Sequence, residues 1–192
     1  IGESIKSIEN FQTLLNFKIL SESTRNLALN FIGLNYKAQG DLDKALAYSK
    51  RRLELLKEFP KALATDPQQF INAMNNHIEL LISLTRFDEA LNYCTQLRKT
   101  EVGSFYLEAR QFVRVSYLEL IIRIKRQDYA GNSTAIKKTE EGLWRFGDLV
   151  RIDEKIQIWF FTSYSLFRQH KLHEALRWIS KILNVSTDIK ED

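Results

Sequence analysis

Three short segments of this chain share one pattern, and no other feature of the sequence restricts the fold as much. They are Gly40-Asp41-Leu42-Asp43-Lys44-Ala45-Leu46-Ala47-Tyr48, Thr85-Arg86-Phe87-Asp88-Glu89-Ala90-Leu91-Asn92-Tyr93 and His170-Lys171-Leu172-His173-Glu174-Ala175-Leu176-Arg177-Trp178. Each reads as a turn, an apolar residue, a polar pair, Ala-Leu, a spacer and an aromatic. The alanines stand 45 and then 85 residues apart. The second interval is close to twice the first, so a degenerate copy is expected between them, at Gln127-Asp128-Tyr129. No Ala-Leu pair follows in register there, and Gly131-Asn132-Ser133 reads as a longer loop before the next helix. Repetition at such a period marks an array of stacked supersecondary units.

Helical periodicity flanks the turns. Ile71, Met74, Ile78, Leu81 and Thr85 recur at three- and four-residue spacing before the second turn, and Phe87, Ala90, Leu91, Cys94 and Leu97 after it. The last turn lies between Ile156, Trp159, Phe160, Ser163, Leu166, Phe167 and Leu172, Ala175, Leu176, Ile179, Ile182, Leu183. Asp66 before Pro67 is a strong helix start, since the carboxylate accepts a backbone N–H and proline suits the first helical position. Ser21 or Ser23 can open an earlier helix in the same way. The spacing predicts helices over 4–18, 23–39, 42–58, 67–85, 88–99, 104–127, 133–148, 152–169 and 172–184. These make a leading helix and four hairpins, at 23–58, 67–99, 104–148 and 152–184, in one domain spanning 1–192.

Composition agrees with an all-α chain. Two prolines and seven glycines in 192 residues leave helices room to run and are too few for the many tight turns of an all-β fold. No apolar run approaches the about 18 residues needed to span a bilayer, so we expect no membrane partner. A single cysteine, Cys94, cannot form an internal disulfide, which suits a reducing, cytoplasmic setting. The net charge of +4 permits an acidic partner without requiring one.

These hairpins resemble tetratricopeptide repeats, whose pattern sets a large residue, a Leu-Gly pair and a tyrosine on the first helix, then a small and a bulky residue on the second. The first hairpin supplies Leu29, Ile32-Gly33, Tyr36 and Ala45, with Ser49 in the bulky slot and Pro60 later than the family's closing proline. The second supplies Met74, Leu81, Ala90 and Cys94, with His77-Ile78 in place of Leu-Gly. The fourth supplies Trp159, Leu166, Ala175 and Ile179, with Thr162-Ser163 there. The resemblance implies a right-handed superhelical array of antiparallel hairpins with a repeat longer than usual. A repeat of this kind cannot bury its apolar face alone, so neighbours must stack and the ends need partners or polar caps. The leading helix, with Ile5, Ile8, Phe11, Leu14 and Leu15, reads like the second helix of a preceding repeat, and we expect a piece of a longer protein.

No constellation for catalysis emerges. Cys94 lies on an apolar stripe beside Leu91 and Leu97 and reads as a core thiol. His77 reads as a packing residue. His170 and His173 lack a nearby third ligand, so no metal site is expected. Glycines are never clustered, which removes phosphate-cradling loops, and Glu140-Glu141 and Asp153-Glu154 are adjacent helical residues pointing about 100° apart. We expect a non-enzyme without a cofactor.

In proteins resembling this family the first helices line the concave face. That projection gives Asn30, Leu34 and Lys37; Asn72, Asn75 and Glu79; Arg110, Arg114, Tyr117 and Ile121; and Gln157, Phe160, Tyr164 and Arg168 as the candidate groove. Asparagine is a poor mid-helix residue, so Asn72, Asn75 and Asn76 either bond a guest's backbone or face solvent and a neighbouring loop. Phe160 and Tyr164 serve as an apolar anchor or as packing. A clamp for carboxylate tails is not expected, because Asn30 and Leu34 occupy its lysine and asparagine slots. The leading function is a protein- or peptide-binding scaffold, or the sensing arm of a larger regulator. The alternative is nucleic-acid binding through Arg110, Arg114, Arg123, Lys125, Arg126, Lys137 and Lys138 of the third hairpin.

Overall fold

The structure, a computed structural model, describes residues 2–17, 19–59 and 66–188. It contains nine α-helices and one 3-10 turn, with no strand, among these residues: α1 (Gly2–Leu15), α2 (Glu22–Ala38), α3 (Leu42–Glu58), α4 (Pro67–Ser83), α5 (Phe87–Lys99), α6 (Phe105–Arg126), α7 (Tyr129–Phe146), the 3-10 turn Gly147–Leu149, α8 (Ile152–Arg168) and α9 (Leu172–Asp188). The closing-proline position, Pro60, lies outside the described residues.

Local chemistry starts these helices. Ser21, Asp41, Asp66, Ser104 and Asp128 each accept a backbone N–H of the first turn through the side chain, from Thr24, Lys44, Gln69, Leu107 and Gly131. Pro67 sits in the first turn of α4 as expected, and of the two serines offered for α2 it is Ser21 that caps.

One backbone device closes all four hairpins. Gly40, Thr85, Gln127 and His170 hold φ at 80°, 58°, 57° and 58°. The next residue's N–H reaches back across the turn, Asp41 to Tyr36, Arg86 to Leu81, Asp128 to Arg123 and Lys171 to Leu166, at 2.8–3.0 Å. The degenerate third copy therefore has the same turn as its siblings. The loop expected at Gly131-Asn132-Ser133 is instead the first turn of α7, which begins at Tyr129 rather than 133. Asp128 explains the correction: one carboxylate oxygen accepts from Gly131 N at 2.9 Å while the other pairs with Arg123. A Cβ at position 131 would fall 1.8 Å from that guanidinium, so this glycine makes room for the ion pair rather than breaking the helix. Elsewhere α1 ends at Leu15 instead of 18, α4 at Ser83 because Thr85 turns left-handed, and α9 continues to Asp188.

Thr85 is β-branched, and the left-handed region costs an L-residue about 1–2 kcal/mol that glycine escapes. Thr85→Gly is therefore expected to raise stability by about 1 kcal/mol, read as a higher urea midpoint at unchanged slope. An unchanged midpoint would mean the turn is relaxed.

The chain forms two compact units, Ile1–Tyr93 with Glu101–Gly103, and Cys94–Thr100 with Ser104–Asp192. In the first, α1 packs on α2, α2 on α3 and α3 on α4. Its core draws Ala28, Leu29 and Ile32 from α2, Ala45 and Leu53 from α3, and Ile71, Met74, Ile78 and Leu81 from α4, all fully or nearly fully buried. Gln12 of α1 donates to the Tyr48 hydroxyl at 2.8 Å, and Tyr36 stacks on Tyr48. In the second unit α6 packs on α7 and α8, α7 on α8, and α8 on α9. One cluster joins Ala109, Val113, Phe146, Val150 and Ile158, and another joins Leu120, Ala135, Ile136, Leu166, Ala175 and Trp178. Packing between consecutive helices in each unit fits a helical array.

Part of the expected apolar stripes is not covered. Phe160, Phe167, Leu172, Leu176 and Ile179 remain exposed, although their spacing is that of core positions. Periodicity identifies an apolar face without saying whether a neighbour lies on it.

Candidate functional site

The first unit holds a cleft where α2, α3 and α4 meet. Leu29, Asn30, Gly33, Leu34 and Lys37 come from α2, Ala45, Ser49 and Arg52 from α3, and Asn76 and Leu80 from α4. The cleft is shallow, enclosing about 30 Å³, and the rest of it is open to solvent. Gly33 lines it without a side chain, and a Cβ there would meet Ala45 O at 3.7 Å and Tyr48 Cβ at 3.8 Å, ordinary contact distances. Packing therefore does not require glycine at a helix-interior position where alanine is better by about 1 kcal/mol.

The cleft's polar wall is built around Arg52. This guanidinium is buried, and burial lowers its pKa, yet it stays protonated at neutral pH. Its Nε donates to Asn26 Oδ1 at 2.8 Å and its Nη1 to Asn30 Oδ1 at 2.6 Å. Arginine has no acceptor, so both amides are oriented with oxygen toward it. Asn26 passes its own N–H to Gln69 Oε1 of α4 at 2.6 Å. The amide nitrogen of Asn30 has no partner among the described residues and is left at the cleft wall as a donor of fixed direction. At the other end Lys37 Nζ lies 3.3 Å from Glu79 Oε2, and Asn75 donates to Glu79 Oε1 at 2.9 Å.

Behind the cleft, His77 is buried, its Nδ1 lies 3.1 Å from Ser49 Oγ, and its ring meets Tyr93 edge-on at 4.5 Å. Burial, with Arg86 adding to it, pushes its pKa down to about 4. The unfolded chain binds this proton below about pH 6.5 while the folded chain refuses it until about pH 4, so stability falls through that window as pH drops. Between about pH 7 and about pH 5 the first unit should lose about 2 kcal/mol through His77. Urea unfolding at both pH values checks this: His77→Gln should remove that part of the pH dependence, and an identical slope in the variant would contradict it.

Of the candidate groove residues, Lys37, Asn75 and Glu79 are joined to one another, whereas Asn30 is bonded to Arg52. Asn72 is exposed and accepts from Gln68 at 2.9 Å. In the second unit, Arg110 donates to both carboxylate oxygens of Glu154 at 2.6 and 2.7 Å and to Leu149 O at 2.8 Å, holding α6 to the start of α8. Tyr117 meets Phe161 edge-on at 5.3 Å. Arg114, Gln157, Phe160 and Tyr164 are exposed, and Arg168 donates to the Tyr164 hydroxyl at 3.2 Å. Arg123 is tied to Glu119 and Asp128, whereas Lys125, Lys137 and Lys138 are exposed. Burial pushes the Cys94 thiol up to about 12, which makes it a poor nucleophile.

No protein-family model matches this chain, and no curated protein does. Among the described residues no group of three or more His, Cys, Asp or Glu could hold a metal ion, and no helix is long and apolar enough to cross a membrane.

Sequence reasoning missed Arg52, Asn26 and Gln69. A charged residue in Lys50-Arg51-Arg52 reads as part of a solvated face, and its burial shows only when α2 is laid against α3. The position of Arg52, seven residues beyond the small Ala45 on the same helical face, was the available signal.

Proposed function

We propose that this chain is a non-catalytic helical array, similar to tetratricopeptide repeats, that binds a protein or peptide segment. The observation that carries the reading is the cleft of the first unit, lined by Gly33, which presents no side chain, and by the amide of Asn30 that Arg52 orients. A guest supplies a backbone carbonyl or carboxylate to that amide beside the buried positive charge of Arg52, and an apolar side chain to the wall of Leu29, Leu34 and Leu80. Recognition through main-chain polarity plus one small pocket suits an extended peptide.

Nucleic-acid binding has weaker support, since Arg110 and Arg123 are spent on internal carboxylates. Binding that falls steeply with salt would restore it.

The test is a peptide-display selection on the intact chain, followed by titration of the selected peptide. Asn30→Asp keeps the acceptor that Arg52 needs and removes the donor, so the protein should stay folded and bind at least about tenfold more weakly. Gly33→Ala should raise stability by about 1 kcal/mol, and Gly33→Leu should fill the cleft and abolish binding. Undiminished binding by both Asn30→Asp and Gly33→Leu would remove the cleft from the account.

A further inference from the structure

Counting from the left-handed turn residue gives each hairpin the same coordinate frame. Six and nine residues after Gly40 stand Leu46 and Ser49; six and nine after His170 stand Leu176 and Ile179. Leu46 and Ser49 are each 8% exposed, whereas Leu176 and Ile179 are 58% and 39% exposed. On the first helices the difference is one of chemistry rather than exposure, since Leu34 is 44% exposed and Tyr164 37%. Ten, six and three residues before Gly40 stand Asn30, Leu34 and Lys37; the same steps before His170 reach Phe160, Tyr164 and Phe167, all exposed.

What covers the first hairpin is a helix. α4 packs on α3, its His77 meets Ser49, its Glu79 pairs with Lys37, its Gln69 accepts from Asn26, and its Asn76 and Leu80 lie beside Asn30 and Leu34. The covering helix sets polar groups on the polar ones beneath it, His77 on Ser49, Glu79 on Lys37 and Gln69 on Asn26, and places Leu80 beside Leu34. In the last hairpin the same coordinates carry aromatic and aliphatic side chains on both helices. Phe160 is stacked on Tyr164 at 6.5 Å and edge-on to Phe161 at 5.3 Å, so the rings of this face touch one another.

We propose that the face made by Phe160, Tyr164 and Phe167 of α8 with Leu176 and Ile179 of α9 receives an amphipathic helix from a partner protein, seated as α4 is seated on α2 and α3. The guest carries large apolar residues at i, i+4, i+7 and i+11, a stripe that matches two apolar helices where α4 matches a mixed pair. Arg168 and Lys171, both exposed at the turn end of the face, favour acidic residues at the guest's adjoining end. This face belongs to the second unit and the cleft to the first, so either can fail without the other.

The probe is a fluorescent helical peptide of about fourteen residues, with leucine at those four positions and glutamate or alanine elsewhere, titrated with the whole chain. Saturable binding is expected. Leu176→Glu and Phe167→Glu, both at exposed positions that leave the fold intact, should each weaken it at least about tenfold, while Asn30→Asp leaves it unchanged. A peptide with the four leucines changed to serine should not bind. Absence of saturable binding, or equal binding by both glutamate variants, overturns the proposal. So does a concentration-dependent dimer in sedimentation that Leu176→Glu dissociates, because a second copy would then be the occupant.

Discussion

Glu119→Ala is expected to destabilise the second unit by about 3 kcal/mol, a larger loss than any other single truncation of a polar residue discussed above. Glu119 lies in the middle of α6 and is 6% exposed, a position where a carboxylate persists only if it is paired. Its Oε2 accepts from Arg98 of α5, and its Oε1 accepts from Arg123 Nη2 and Nε at 2.9 and 3.1 Å. Arg123 in turn reaches Asp128, the cap of α7. One carboxylate thus links three helices, and alanine would leave two guanidinium groups without their shared anion. Removing one partner of a buried pair costs about 3–5 kcal/mol, and the partial exposure of Arg98 places this case at the lower end. Urea denaturation read by tryptophan fluorescence checks it, since Trp144, Trp159 and Trp178 all lie in the second unit. Glu119→Gln should cost less, because it keeps one acceptor. A loss below about 1 kcal/mol in the alanine variant would show that the cluster behaves as a surface pair.

Asn132→Ala should act in the opposite direction and stabilise the same unit by about 2 kcal/mol. Asn132 stands five residues after Gln127, the slot that Ala45, Ala90 and Ala175 fill in the other hairpins. It is 1% exposed, and neither its amide oxygen nor its amide nitrogen has a hydrogen-bond partner among the described residues. A buried unpaired polar group costs about 1–3 kcal/mol, and alanine removes two such atoms while improving helix propensity. The lost side-chain contacts offset part of the gain. Thermal and urea melts of the variant are the measurement, with a higher midpoint expected. A lower midpoint would mean that this amide is satisfied in solution and holds its neighbours in place.

The turns were the most legible part of the fold. Thr85-Arg86 and His170-Lys171 mark helix ends because the alanine and apolar residues that follow restart a helix at once, and Asp66-Pro67 sets the start of α4 almost to the residue. The third hairpin was harder because its two odd residues, Gly131 and Asn132, look like a loop by composition. Their helical state depends on Asp128 and Arg123 meeting over the first turn, a tertiary fact that no local propensity carries. The candidate site was half readable. Asn30, Lys37 and Glu79 follow from the repeat register, whereas Arg52 depends on which side of α3 faces α2. Burial in the last hairpin is not decided by the sequence, since the spacing of Phe160, Phe167, Leu176 and Ile179 is equally that of a core and of an exposed face.

The central claim, that the chain holds a guest at the cleft of its first unit, is tested most directly by hydrogen–deuterium exchange of the intact chain with and without the display-selected peptide. Added protection confined to α2, α3 and α4, and missing in Asn30→Asp, is the predicted result. Protection elsewhere with none on those three helices would contradict it.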